Sequence, residues 1–359
     1  MLMLRYLEEF SMTESTAGLT IVIGSYLEAD QVARIAAAPP VARVAYEPDL
    51  LPVPRYRCDH NGRPRDLSES DLARWRSITA SGDVFFDFDW LDPAGMANLA
   101  KHGRLRWVQA TSAGIGAFMQ RTGLDRSSLT ATTAGGIHAV PLAEFAVMGA
   151  LHFVKGVPDL RRRQQARHWE RYTTRQLAGQ RALVVGLGGI GRRVVASFAA
   201  LGVEVWGLGR DGRSYEVDGL AKVIARQDLD AALPSVDIVV LACPLTEETE
   251  GLMGRRQLGL LPSGAVLVNI ARGQIVDEQA LIDGLRARTL GGACLDVFAT
   301  EPLPADSPLW EMDNVIVSPH SASTVATENE ALTDLFIDNL ERFADNRLLR
   351  NRYEPADGY

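Results

Sequence analysis

Ala182-Leu183-Val184-Val185-Gly186-Leu187-Gly188-Gly189-Ile190-Gly191 decides the fold. Its four leading apolar residues predict a buried parallel strand. Gly186, Gly188 and Gly191 then fall in the order G-x-G-x-x-G, and the apolar run Val194 to Leu201 predicts a helix. Strand, glycine turn and helix is the context in which this pattern marks a dinucleotide site. The first glycine permits the tight turn, the second lets the backbone approach a pyrophosphate, and the third lets helix and strand pack closely. The phosphates then meet N–H groups at the positive end of the helix dipole. Gly186, Gly188, Gly189, Ile190 and Gly191 are therefore candidate cofactor-binding residues.

Working outward, strands alternate with helices in both directions. Toward the C-terminus, strands are predicted at Val203 to Leu208, Ile238 to Cys243, Ala265 to Ile270, Gly291 to Val297 and Asn314 to Ser318. Asp277 caps a helix over Glu278 to Arg288. Toward the N-terminus, strands are predicted at Leu19 to Gly24, Val41 to Tyr46, Asp83 to Phe88, Leu105 to Ala110 and Thr130 to Thr133. Helices are predicted at Glu28 to Ala38, Ser68 to Thr79 with Ser68 as N-cap, and Asp92 to His102. Glu47 to Leu67 has no period and reads as a long loop. Pro141 to Val154 is a long apolar helix suited to bridging domains or pairing subunits, and Arg161 to Gln176 is polar and arginine-rich. A last helix, Thr324 to Asn346, carries Leu332, Leu335, Phe336, Leu340 and Phe343 at helical spacing. The pattern is α/β, with doubly wound parallel sheets.

At 359 residues the chain has room for two domains and an ample core. A net charge of −8 provides no basic field for nucleic acid or an anionic membrane. The cluster Arg161-Arg162-Arg163 reads as a solvated helix face or an interface edge. No apolar run approaches the roughly 20 residues needed to span a bilayer. The scattered Cys58, Cys243 and Cys294 form neither a disulfide framework nor a metal spacing, which suits a reducing cytoplasm. No metal is expected. Met12 is a second plausible start, so the residues before it read as an extension.

Three late segments carry the chemistry. They are Val268-Asn269-Ile270-Ala271-Arg272-Gly273, Leu295-Asp296-Val297-Phe298-Ala299-Thr300-Glu301-Pro302 and Ser318-Pro319-His320. Each lies at or just past the carboxyl end of a predicted strand, where open parallel sheets bind ligands. An arginine, a carboxylate and a histidine suit hydride transfer at a 2-oxo acid. Arg272 can fork onto the substrate carboxylate. His320 can give a proton to the carbonyl oxygen, or remove it in reverse. Glu301 can orient the imidazole and favour its protonated form.

These motifs, with Cys243-Pro244-Leu245-Thr246 and Asn269 to Asp277, resemble the D-isomer-specific 2-hydroxyacid dehydrogenase family over roughly Leu105 to Asn346. That family includes phosphoglycerate dehydrogenases, glyoxylate/hydroxypyruvate reductases and formate dehydrogenases. The resemblance implies a flavodoxin-like substrate domain and a Rossmann cofactor domain with a cleft between them. After an N-terminal extension (1–18), the substrate domain takes 19–138 and 321–359, and the cofactor domain takes 139–320. Arg272, Glu301 and His320 fall on the family's catalytic arginine, glutamate and histidine. Asp296 falls on the aspartate that contacts the nicotinamide carboxamide, and Thr246 on a threonine near the cofactor. Cys243, Pro244 and Ala271 are implied as cofactor neighbours. Ser112-Ala113-Gly114 resembles the loop whose N–H groups hold the substrate carboxylate. A homodimer is implied, with the helix from Pro141 in its interface.

The chain departs from the family at His138, where many members carry asparagine. Ile115-Gly116 replaces the usual Val-Asp, and the Glu47–Leu67 loop is unlike the better-known members. His138 is read as packing or lining the cleft, and the other histidines before His320 as structural or exposed. Trp90 is read as core, and Cys243 as packing rather than a nucleophile, because no base accompanies it. Counted from Gly186, the family's ribose-binding aspartate falls on Gly209. Arg210 and Arg213 follow, which points to NADP over NAD, although Asp211 lies close enough in sequence to replace the acid. The substrate is a small 2-oxo or 2-hydroxy acid. Two other functions remain on the resemblance: a non-catalytic dinucleotide-sensing scaffold like the corepressor relatives, and a formate dehydrogenase.

Overall fold

The computed structural model describes residues 18–355. The predicted extension and second start therefore lie outside the described residues, apart from residue 18. The chain divides into two compact units. Among the described residues, one takes 18–133 together with 329–355, and the other takes Ala134–Glu328.

The first unit holds five parallel strands: β1 (Leu19–Ile23), β2 (Val41–Ala45), β3 (Val84–Phe86), β4 (Trp107–Gln109) and β5 (Thr130–Thr132). Their order is β2-β1-β3-β4-β5, the flavodoxin-like arrangement. Ser68 forms a full capping box with Asp71, and Asp92 caps the helix Pro93–His102. β3 is shorter than the predicted Asp83 to Phe88 because Asp87 turns the backbone to φ +67°. The long loop is braced from within. Asp59, buried, accepts from the backbone of Arg55 and Gly62 and from the Arg55 guanidinium, which holds its carboxyl well below the usual range.

The last helix, Glu328–Ala344, buries Leu332, Phe336 and Leu340. Phe336 meets Trp107 at 5.1 Å and Phe86 at 5.3 Å between centroids. Buried Asn339 donates to Gln109 Oε1 at 3.0 Å and accepts from Arg350 N–H at 2.8 Å. Beyond it the chain returns to the sheet edge, where Arg352 bridges Thr132 in antiparallel sense.

The second unit is a seven-stranded parallel sheet. Its strands are β6 (Arg181–Val185), β7 (Glu204–Leu208), β8 (Leu220–Ile224), β9 (Ile238–Leu241), β10 (Ala265–Asn269), β11 (Leu290–Leu295) and β12 (Val315–Val317). The order is β12-β11-β10-β9-β6-β7-β8. Counted within the unit this is the Rossmann order 3-2-1-4-5-6 with one strand added, and its direction reverses at β6. The central strands β9 and β10 are buried throughout and β6 from Ala182 onward, as strands covered on both faces must be.

The apolar helix Ala139–Val154 packs on the helix Gly189–Ala200 and on β10 and β11. Its buried Ala143, Ala146, Gly149 and Ala150 allow that approach. A Cβ on Gly149 would lie 2.6 Å from Cys294 Cβ. A helix, Val157–Gln165, runs into the arginine-rich stretch, with Arg162 and Arg163 both paired to Asp159. Among the described residues no single helix is long and apolar enough to cross a membrane.

Candidate active site

β6 leads into the glycine turn at the sheet's switch point. Gly186 has φ +98°, and a Cβ there would lie 2.7 Å from Ala242 O and from Cys243 N and Cα. Only glycine fits that conformation beside the exit of β9. At Gly191 a Cβ would come within 1.7 Å of Gly186 O, so helix and strand touch through backbone alone. Gly188 differs, because a Cβ there would meet nothing within 4 Å. The helix Gly189–Ala200 begins at this open position, and no side chain caps it. Its first-turn N–H groups are available to an anion, so the residues fit a pyrophosphate.

Cys243 is buried beyond β9, and burial pushes its thiol up to about 11. That suits a packing residue rather than a nucleophile. Pro244, Leu245 and Thr246 are exposed. Thr249 shapes their turn, its hydroxyl donating to Pro244 O at 2.7 Å and accepting from Thr246 N–H at 2.8 Å.

The ends of β10, β11 and β12 are tied to one another by hydrogen bonds. At the end of β10, Asn269 donates from Nδ2 to Arg272 O and accepts at Oδ1 from Ala271 N–H, both at 3.0 Å. This turn presents Arg272, half-buried, with Nη1 donating to Ala271 O at 2.7 Å. A Cβ on Gly273 would come within 1.9 Å of Phe298 C, which presses the arginine turn onto the loop after β11. Gln274 Nε2 and Glu278 Oε2 bond to the backbone of Ala299 in the same loop.

Glu301 closes that loop by accepting from Phe298 N–H through Oε1 at 3.0 Å. Its other oxygen, Oε2, meets His320 Nδ1 at 2.8 Å. His320 follows β12 with φ +55°, a conformation rare for a residue with a side chain. Its N–H donates to Asp296 O at 2.9 Å. Buried Asp296 also accepts from the Ser318 hydroxyl at 2.6 Å and from Ser321 and Ala322 N–H at 2.9 Å, all through Oδ1. The histidine loop is thereby fastened at both ends. With Nδ1 held by Glu301, the second nitrogen, Nε2, is the one left to face a reactant.

The structure thus joins His320 to Glu301 directly, and joins Arg272 to the glutamate loop through Gly273. Asn269 and Ser318 supply the fastening; both stand inside the quoted motifs, but their roles depend on contacts that spacing does not reveal.

At the end of β7, Gly209 precedes Arg210, whose N–H donates to the Tyr215 hydroxyl at 2.8 Å. Asp211 is exposed and accepts a long bond, 3.5 Å, from Arg226 N–H. In the first unit, Ser112 and Gly114 are exposed and Ala113 half-buried, between β4 and the helix Gly116–Thr122. Ile115 and Gly116, which depart from the family pattern, are buried and anchor the start of that helix by packing.

Trp90 is not core, contrary to the sequence expectation: it is 44% exposed. Buried Asp87 pins its indole N–H at 3.1 Å, and the ring packs sideways on Phe118. His138 is half-buried, with Nε2 3.0 Å from Glu328 Oε1.

A glycine turn at the switch point of a parallel sheet, with a carboxylate-bound histidine past the edge strand β12 of the same sheet, defines a nicotinamide-dinucleotide oxidoreductase. The chain belongs to the D-isomer specific 2-hydroxyacid dehydrogenase family, whose NAD-binding domain model matches residues 147–322. With that family it is an NAD(P)-dependent enzyme acting on the CH–OH group of donors. It is 34% identical over 219 residues to an (S)-sulfolactate dehydrogenase of Chromohalobacter salexigens, covering 60% of this chain and 70% of that one. It is 30% identical over 250 residues to the D-3-phosphoglycerate dehydrogenase of Archaeoglobus fulgidus, covering 66% of this chain but only 47% of the relative's length. Among solved structures, a D-isomer specific 2-hydroxyacid dehydrogenase from Xanthobacter autotrophicus Py2, in complex with NADPH and MES, matches with a TM-score of 0.76. That match has 29% identity and covers 96% of this chain and all of that one.

Proposed function

We propose that the protein reduces a small 2-oxo acid to its D-2-hydroxy acid, and catalyses the reverse, with His320, Glu301 and Arg272 as its catalytic residues. The observation that carries this reading is the 2.8 Å pair between His320 Nδ1 and Glu301 Oε2. It stands in the same unit as an uncapped glycine turn. Bound NAD(P)H supplies the hydride that the carbonyl carbon accepts. His320 Nε2–H gives its proton to the carbonyl oxygen as that oxygen becomes a hydroxyl. Glu301 holds the ring in the orientation that leaves Nε2 outward. Arg272 binds the substrate carboxylate through its planar fork.

Gly186 to Gly191 hold the pyrophosphate, flanked by Cys243, Pro244, Thr246 and Ala271. Asp296 serves the nicotinamide carboxamide with the oxygen not spent on the histidine loop. The missing acid at Gly209, with Arg210 next to it, supports NADP over NAD. Exposed Val140 and Met148 on the Ala139–Val154 helix support a homodimer, and three buried cysteines outside any disulfide support a cytoplasmic setting. The division at 133/134 and 328/329 supports a substrate domain of two segments around a cofactor domain. Turnover of 2-oxo acids separates this reading from a dinucleotide-sensing scaffold.

Glu301→Gln tests the His320–Glu301 pair. The variant keeps the size of the side chain but loses the carboxylate that holds Nδ1. Its kcat for 2-oxo acid reduction is expected to fall about tenfold or more, the worth of one charge-assisted bond, while its affinity for the dinucleotide stays at the wild-type value. A wild-type kcat in Glu301→Gln would remove the pair from the mechanism.

A further inference from the structure

Two glycines stand at the end of β7, Gly207 within the strand and Gly209 just past it, each hemmed in by a side chain. A Cβ on Gly207 would lie 2.8 Å from Leu187 Cδ2. A Cβ on Gly209 would lie 2.2 Å from Cε2, 2.5 Å from Cζ and 2.8 Å from the hydroxyl oxygen of Tyr215. The ring reaches this place because the chain turns back at Gly212, with φ +74°. Tyr215 is half-buried against the cluster that contains Val194, Val195 and Phe198. Its hydroxyl accepts the Arg210 N–H at 2.8 Å, so the ring is held at both ends. A side chain at 209 and this ring cannot occupy the same volume.

An NAD-selective unit places a carboxylate at this strand end to take the ribose 2′-hydroxyl. Resting on the cofactor reading above, we propose that Tyr215 is the positioning residue that sets cofactor selectivity. Its ring occupies the space such a carboxylate would need, and its hydroxyl tethers the backbone of Arg210. The strand end is thereby kept free of an acid and ready for an adenosine ribose bearing a 2′-phosphate. Asp211, directed to the Arg226 backbone, does not restore the missing acid. A side chain introduced at 209 alone has to displace the ring, and with it the tether on Arg210.

The test is the equilibrium dissociation constant of NADP+ and of NAD+ for wild type, Gly209→Asp, Tyr215→Ala, Tyr215→Phe and the double variant Gly209→Asp/Tyr215→Ala. Thermal unfolding of each checks that it folds. Gly209→Asp alone is expected to weaken both dinucleotides, since its side chain displaces the ring. The double variant is expected to gain NAD+ affinity. Its NADP+/NAD+ ratio should move roughly tenfold or more beyond the product of the two single changes. Tyr215→Phe keeps the ring and loses the tether. It should weaken NADP+ by roughly two- to twelvefold, the worth of one hydrogen bond, and leave NAD+ unmoved.

A double variant whose ratio is the product of the singles would overturn the role of Tyr215. So would a Tyr215→Phe protein that binds both dinucleotides as wild type does, and this variant decides the matter should Gly209→Asp not fold. A wild type that binds NAD+ more tightly than NADP+ would instead overturn the cofactor reading, and it is read from a separate number.

Discussion

His320→Asn is expected to lower kcat for 2-oxo acid reduction by about 10²- to 10⁴-fold, the usual worth of a positioned general acid. Asparagine keeps the polarity and much of the size of the ring but has no titratable nitrogen to give up a proton. The loop should remain folded in the variant. His320 N–H still donates to Asp296 O, and the Asp296 bonds to Ser318, Ser321 and Ala322 do not involve the imidazole. Asparagine also tolerates positive φ better than most residues, so φ +55° is not lost. Cofactor affinity should therefore stay at the wild-type value while kcat collapses. A kcat near wild type, or a parallel loss of cofactor binding, would assign the histidine a structural role.

Arg272→Lys is expected to lower kcat/KM at least about tenfold, and by more if both arms of the fork reach the carboxylate, since one charge-assisted bond is worth ~1.5–3 kcal/mol. The charge survives this change, but the planar pair of donors does not. The backbone turn is made by Asn269 and Gly273 rather than by the arginine side chain, so the variant should fold. Saturation kinetics of the 2-oxo acid check this. An unchanged kcat/KM would mean that Arg272 only serves Ala271 O.

Much of this arrangement is legible in the sequence, because it rests on local rules. The glycine turn needs only backbone geometry, so Gly186 and Gly191 can be assigned from their spacing and flanks. Ser68, Asp92 and Asp277 each begin a helix, as capping chemistry requires. The buried strands stand out as short apolar runs.

What escapes the sequence depends on distant contacts. The edge strand β8 is missed because Ala221, Lys222 and Val223 are exposed and form no apolar run. The helix Val157–Gln165 shows in the sequence only as the Arg161-Arg162-Arg163 cluster, read as a solvated helix face or an interface edge, because none of its residues is buried and no apolar stripe marks its bounds. Trp90 looks like core by composition, yet the positive φ and buried carboxylate of Asp87 turn it outward. The left-handed backbone of His320 exists only because Asp296 fastens the loop around it. Nothing in Gly209-Arg210-Asp211-Gly212-Arg213-Ser214-Tyr215 announces that the tyrosine folds back onto the glycine.

The central claim is that Arg272, Glu301 and His320 serve hydride transfer to a 2-oxo acid. Its most direct test is the oxidation of NADPH and of NADH by the purified protein across a panel of 2-oxo acids, followed by absorbance, with the chirality of the product determined. The account predicts 2-oxo-acid-dependent oxidation that yields the D-2-hydroxy acid. Bound dinucleotide with no turnover of any 2-oxo acid, or an L-2-hydroxy acid product, would contradict it.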